Sequence, residues 1–152
     1  MRLQISTQLA IFALLELAAR EGQQVSVAEI GEKYGVSSHH LAKVMHVMGR
    51  AGLVRSARGA GGGYQFASNA RRMTLLDVVQ RFEDLNAVEQ HSEVADATAE
   101  GQALRQVLSE IDDIARATLG SITIATMRKL VDGHSAGNGG PRPKPMAPRR
   151  LG

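Results

Sequence analysis

The 152-residue sequence contains no cysteine. Disulfides, zinc fingers and thiolate-ligated iron–sulfur clusters are thereby excluded from the chain's own residues. Tryptophan is absent too, and aromatics make up only 3% of the chain, so aliphatic side chains must build the core. The longest apolar stretch, Leu9 to Leu17, contains Glu16 and is too short to cross a bilayer. The start, Met1-Arg2-Leu3-Gln4, lacks a cleavable signal pattern, so a cytoplasmic protein with no membrane partner is expected. No nucleophile–base pair, carboxylate dyad or metal triad emerges from the motifs, and neither an enzyme nor a resident cofactor is expected.

What is present is unevenly distributed. The formal net charge of +3 conceals a split between segments. Residues 1–72 hold nine Lys and Arg against four Asp and Glu, a net of +5. Residues 73–134 hold five against eleven, a net of −6, and residues 135–152 hold four basic residues and no acidic one. A basic front half attracts a polyanion, whereas the acidic middle repels it.

The front half reads as a mainly α fold, a winged helix-turn-helix. Helical spacing of Leu9, Phe12, Ala13 and Leu17 predicts a first helix over about 5–20, mostly buried. Ser26-Val27-Ala28-Glu29 fits a capping box at the head of a short helix over about 27–34. Gly35-Val36-Ser37 then makes a tight corner, with Gly35 left-handed and Ser37 capping a third helix over about 38–51. Leu41, Val44, Met45 and Met48 form the inward stripe of that helix. His39, Lys43, His46 and Arg50 recur on the opposite side with His40 flanking them, a face with no carboxylate. Leu53-Val54-Arg55 and Tyr64-Gln65-Phe66 read as the two strands of a wing, and Gly59, Gly61, Gly62 and Gly63 permit a close-approaching loop between them.

Beyond the wing, Thr74 caps a helix with Leu75, Val78, Val79 and Phe82 on its apolar face. The predicted organisation is a DNA-binding unit with its connecting helix over 1–83 and a loop of little periodicity over 84–101. A long dimerisation helix and a short terminal helix follow over 102–132, then a disordered basic tail over 133–152. Leu104, Leu108, Ile111, Ala115 and Leu119 follow near-heptad spacing suited to packing against a twin. Thr123 caps the last helix, expected to end near Val131.

Ser38-His39-His40-Leu41-Ala42-Lys43-Val44, Ala51-Gly52-Leu53-Val54 and Arg58-Gly59-Ala60-Gly61-Gly62-Gly63-Tyr64, in this order, resemble the Rrf-two (Rrf2) family of bacterial winged-helix transcription regulators. A weaker echo is Ile122-Thr123-Ile124, and the likeness runs from Met1 to about Val131. The resemblance implies a homodimeric repressor with its long helices crossed at the centre. Each subunit would place one recognition helix in a major groove of a pseudo-palindromic operator and one wing in the adjacent minor groove. Sensing members carry three cysteines in the loop before the long helix, at positions that fall near His91, Asp96 and Gln102 here. One nitric-oxide-sensing relative adds an Asp ligand where this chain has Gln8. The resemblance therefore does not extend to cluster-linked sensing.

In that reading Ser37, Ser38, His39 and His40 lie at the amino end of the recognition helix, where Ser38 and His39 reach base edges or phosphates. Lys43, His46 and Arg50 continue the same face, with Lys43 and Arg50 on phosphates. Arg58 enters the minor groove while Gly59, Gly61, Gly62 and Gly63 let the wing backbone approach, Tyr64 is counted with the DNA-binding wing, and Arg55 is a second phosphate contact. A nucleotide-binding loop is a poor alternative for the glycine run, because a strand follows it and no Lys-Ser/Thr pair does. His39 and His46 stand two turns apart, about 10 Å, too far to chelate one ion. His91 with Glu89, Glu93 and Asp96 leaves open a regulator gated by a small ligand or metal at the 84–101 loop. A winged-helix module that docks a protein partner is the rival reading, and the joint basic charge of helix and wing weighs against it. The tail residues Arg142, Lys144, Arg149 and Arg150 read as a solubilising extension.

Overall fold

The first helix, α1 (Ile5–Ala19), is buried almost all round because Leu9, Ala10, Ala13, Leu14 and Leu17 leave no polar face along its middle. The computed structural model describes residues 1–59, 61–85 and 97–137. Around α1 pack α2 (Val27–Tyr34), α3 (Ser38–Arg50), the hairpin β1 (Val54–Ala57) and β2 (Gly63–Phe66), and α4 (Leu75–Val79). The long α5 (Ala99–Ser121) and α6 (Ile124–Gly137) complete the order. The fold is mainly helical with a two-stranded antiparallel sheet. As the composition required, the large fully buried hydrophobic side chains are aliphatic or methionine, among them Leu14, Leu17, Leu41, Met45, Met48 and Ile124.

The helix-turn-helix follows from local chemistry. Gly35 ends α2 at φ +64°, a left-handed conformation that glycine adopts without steric cost. Ser37 then caps α3 by accepting from His40 N at 3.2 Å. Gly31 matters as much, and the sequence motif had not singled it out. A Cβ there would lie 2.7 Å from the Val36 carbonyl oxygen, a close approach held in place as Val36 N donates back to Gly31 O at 2.9 Å. At α2 only half of the expected capping box forms, since Ser26 accepts from Glu29 N while the Glu29 carboxylate takes the Arg20 guanidinium.

Glu16, the charge inside the apolar stretch of α1, is 9% exposed and accepts from Tyr34 Oη at 2.7 Å, from Lys33 and from Arg20. It thus ties α1 to α2 across the core edge, where Phe12 stacks on Tyr34 with centroids 5.0 Å apart. Burial pushes the Glu16 carboxyl up, but the bonds from Lys33, Tyr34 and Arg20 outweigh it and hold the group below its ordinary value of 4.5. A carboxyl depressed on folding stabilises the protein above its unfolded pKa, and that contribution is lost as pH falls through the folded one. Glu16→Gln is therefore expected to lower the urea midpoint at pH 6.5, with the gap to the parent narrowing below about pH 4. Parallel pH curves for the two proteins would refute the assignment.

A second unforeseen carboxylate closes the start of α1. Gln4, its N-cap, makes no side-chain cap, and instead Glu83 accepts from Gln4 N at 2.7 Å and from the buried Thr7 hydroxyl at 2.5 Å. The residue is distant in sequence, so no local pattern announces it. At α4, Thr74 and Asp77 form the full capping box.

Three helix boundaries differ from the sequence expectation, the first because α4 ends at Val79 and leaves Phe82 in the turn that follows. Thr98 caps α5 through Gly101 N, so the helix begins at Ala99 and absorbs the last residues of the predicted 84–101 loop. Thr123 caps α6 as expected, but the helix continues through Gly133 to Gly137 and so past the predicted end near Val131. The seam between α5 and α6 is stitched to the segment before α4. Leu75 N bonds Ile122 O, Ile124 N bonds Met73 O and Ala125 N bonds Ala70 O, each at 2.8–2.9 Å, around a bridge between Thr74 and Thr123.

Candidate nucleic-acid interface

With Leu41, Val44, Met45 and Met48 locked inward, α3 turns Ser38, His39, Lys43, His46 and Arg50 to solvent. The expected basic row is therefore one exposed face, free of carboxylates along its length. His40 departs from it. The ring is half-buried and its Nε2 lies 3.4 Å from Ser6 Oγ on α1, which turns it toward the flank of the helix. Ser37 is exposed and occupied as the N-cap.

The wing leaves the end of α3 directly. Gly52 at φ +74° turns the chain, Leu53 N bonds Met48 O, and the strands pair in the register Val54↔Phe66, Arg55↔Gln65, Ser56↔Tyr64 and Ala57↔Gly63. Arg55 Nε donates to Gln65 Oε1 at 3.1 Å, and Gln65 Nε2 reaches Gly22 O at 3.4 Å, so Arg55 is held along the sheet. Arg58 is exposed beyond the end of β1, at the entry to the tip.

The four wing glycines divide into two kinds. Gly59, Gly61 and Gly62 have positive φ and open space where a Cβ would stand, as expected of a loop that offers its backbone to a partner. Gly63 and Tyr64 have a role within the fold as well. Tyr64 exchanges two backbone bonds with Val25, at 2.9 and 3.0 Å, adding a one-residue third rung to the hairpin. A Cβ on Gly63, whose φ is +150°, would lie 2.7 Å from the Val25 carbonyl oxygen. Close approach inside the chain therefore accounts for this glycine without any partner. Gly63→Ala is expected to cost about 1–3 kcal/mol through backbone strain and a displaced rung. Gly62→Asn, at φ +51°, should leave the thermal midpoint nearly unchanged, because asparagine visits that conformation readily. Equal midpoints for both variants would contradict this division.

The predicted dimerisation residues also separate. Leu104 and Ile111 are 59% and 54% exposed, Leu108 and Ala115 are half-buried, and Leu119 is 9% exposed inside the chain's own core. Leu119 is thus a core residue, not part of a free face. The exposed apolar row consists of Leu104, Val107, Ile111 and Ile114, and the sequence reading missed Val107 and Ile114. Among the described residues, no helix is long and apolar enough to cross a membrane, and no three His, Asp or Glu converge as a metal-binding group. His91, Glu89, Glu93, Asp96 and the basic tail residues Arg142, Lys144, Arg149 and Arg150 lie outside the described residues.

Comparison with known proteins places this geometry among related chains. A family described as "Rrf2: Iron-dependent Transcriptional regulator" matches residues 3–129. The HTH-type transcriptional regulator BadM of Rhodopseudomonas palustris is 46% identical over 132 residues, covering 87% of this chain and 84% of that one. The structure of CymR, described as the global cysteine regulator of B. subtilis, superposes with a TM-score of 0.72 at 25% identity, over 86% of this chain and 98% of that one. That of T. potens IscR superposes with a TM-score of 0.69 at 28% identity, over 90% of each chain.

Proposed function

Since the chain belongs to the Rrf2 family of transcriptional regulators, we propose that it acts as a homodimeric, cytoplasmic repressor of a pseudo-palindromic operator that works without an iron–sulfur cluster. It is a DNA-binding transcriptional regulator, not an enzyme. The observation that carries the proposal is the continuity of the exposed basic face of α3 with a wing that presents Arg55 and Arg58. An α-helix fits the major groove, and positive charge on the following hairpin suits the narrower, more negative minor groove. Two such units on one dimer read half-sites a helical turn or a multiple of it apart. The apolar row of α5 is the surface on which two copies would pair, and repression would follow from occluding the promoter.

The family's description mentions iron, and the donor set of this chain does not fit a thiolate-bound cluster. There is no cysteine in the sequence. Gln8 is a neutral amide whose Nε2 donates to Leu3 O at 2.9 Å, and the cysteine-equivalent position at the head of α5 is Gln102. Metal-free protein is accordingly expected to bind DNA from upstream of its own gene selectively over a random duplex, with a steep salt dependence. Uniformly weak binding without metal would overturn the cluster-independent reading.

Within the interface, base edges and phosphates divide the labour. His39, in the first turn of α3, and Lys43, one turn on, are both exposed on its outer face. His39→Ala is expected to change sequence preference, by about 1–3 kcal/mol at the base pair it reads. Lys43→Ala should weaken operator and random duplex alike and flatten the salt slope by about one. Equal losses on both duplexes for both variants would defeat the split.

A further inference from the structure

On the flank of α3, sharing His39, His40 and Lys43 with the face assigned to DNA, lies an open cleft of about 330 Å³ between the first turn of α1, α3 and the turn after α4. Val44, Val47 and Phe82 line it with apolar surface, and Ser6, His40 and Lys43 supply its polar groups. His39 stands at the margin it shares with the outer face of the helix. The volume is at the small end of ligand pockets, and such sites combine apolar walls with a few convergent polar groups. Each polar group here can donate a hydrogen bond, and among the described residues no carboxylate lines the space. Glu83, next to Phe82 in sequence, turns Oε1 to Gln4 N and the Thr7 hydroxyl.

We propose that this cleft binds a small organic anion with an apolar body, such as a monocarboxylate of phenyl or short alkyl type, and that its occupancy lowers DNA affinity. The carboxylate would pair with the Lys43 ammonium and accept from His40 or Ser6, while the body covers Val47 and Phe82. Apolar lining favours such a molecule over a bare phosphate, which has nothing to place against three hydrophobic side chains. Lys43 is the link, because an ammonium neutralised by a ligand is no longer available to a DNA phosphate. By linkage, operator DNA must then weaken ligand binding by the same factor. The effect on DNA rests on the proposed placement of α3 in the groove; the binding of the anion does not.

The test therefore begins without DNA. Phenylacetate and hexanoate are titrated into the full chain to about 10 mM, with the neutral amide of each as control, while the His40 ring resonances are followed by NMR. Saturable shifts are expected with the acids and none with the amides. Val47→Phe fills the cleft and should abolish them, and Lys43→Met, which keeps the apolar walls, should abolish them independently. In a second arm, saturating probe should weaken operator binding fivefold or more for the parent and leave Val47→Phe unaffected. Absent shifts, equal shifts with the amides, or shifts that persist in both variants would each overturn the site. Inorganic phosphate reproducing the shifts would overturn it as well, identifying a contact for DNA backbone. Clean anion binding with unchanged operator affinity would retain the site and refute its coupling to DNA.

Discussion

Ile111→Asp is expected to leave the chain folded, convert it to a monomer and weaken operator binding by a factor of about 10² or more. The side chain is 54% exposed on α5 and lies in one row with Leu104, Val107 and Ile114, so the single chain loses no core packing when it changes. In the proposed dimer, pairing of two copies would cover that row twice over. Each aliphatic side chain removed from water contributes about 1.5–3 kcal/mol, and a carboxylate placed there is desolvated without a partner. A monomer then reaches only one half-site and forfeits the high effective concentration of the second. Sedimentation velocity reads the mass, circular dichroism the fold, and fluorescence anisotropy the operator affinity. An unchanged sedimentation coefficient would remove α5 as the pairing surface. Leu119→Asp, one face away on the same helix, should instead abolish the folded circular-dichroism signal, because Leu119 belongs to the core.

Leu14→Ala is expected to cost about 2–5 kcal/mol of stability, the range for emptying a fully buried leucine site that collapses only in part. For a chain of this size that is roughly a 5–15 °C fall in thermal midpoint. Leu14 is 0% exposed and central to α1, the helix against which α3, α4, α6 and β2 all pack. Few bulky aromatics stand near enough to slump into the void, since the core is aliphatic and Phe66 is the one phenylalanine among its buried members in the described residues. Phe12→Ala, at a side chain 37% exposed, should cost clearly less. Scanning calorimetry of the two variants decides the matter, and a Leu14→Ala loss below that of Phe12→Ala would mean that α1 is not the organising helix.

Much of the fold was legible because its determinants are local. The caps at Ser37 and Thr74, the left-handed Gly35 and the inward stripe of α3 each involve residues within one or two turns, and sequence spacing reports them directly. What stayed hidden depends on partners remote in the chain. Gly63 is a glycine because of Val25, Glu83 closes a helix that starts 79 residues earlier at Gln4, and Glu16 is a buried junction only once Lys33 and Tyr34 arrive. The long helix shows a different limit. Its apolar residues occupy two adjacent faces, one toward α4 and one outward, and a near-heptad spacing accommodates members of both. Only the position of α4 tells Leu119 from Ile114. His40 flanks the basic row as the spacing suggested, but its approach to Ser6 on α1 was not legible, because that partner is 34 residues away.

The seam that joins residues 70–75 to 122–125 by backbone bonds bears on how any signal travels. Such bonds resist shear and do not depend on side-chain identity, so a torque applied to α5 passes into the connector before α4 without slack. Arg128 adds a strut, donating from α6 to the Ala18 carbonyl at the far end of α1. In the proposed dimer the winged helix and the long helix would therefore move together, with the bend at the contact between subunits. A change of a few degrees at that contact would be magnified along the arm into a change of groove spacing at α3.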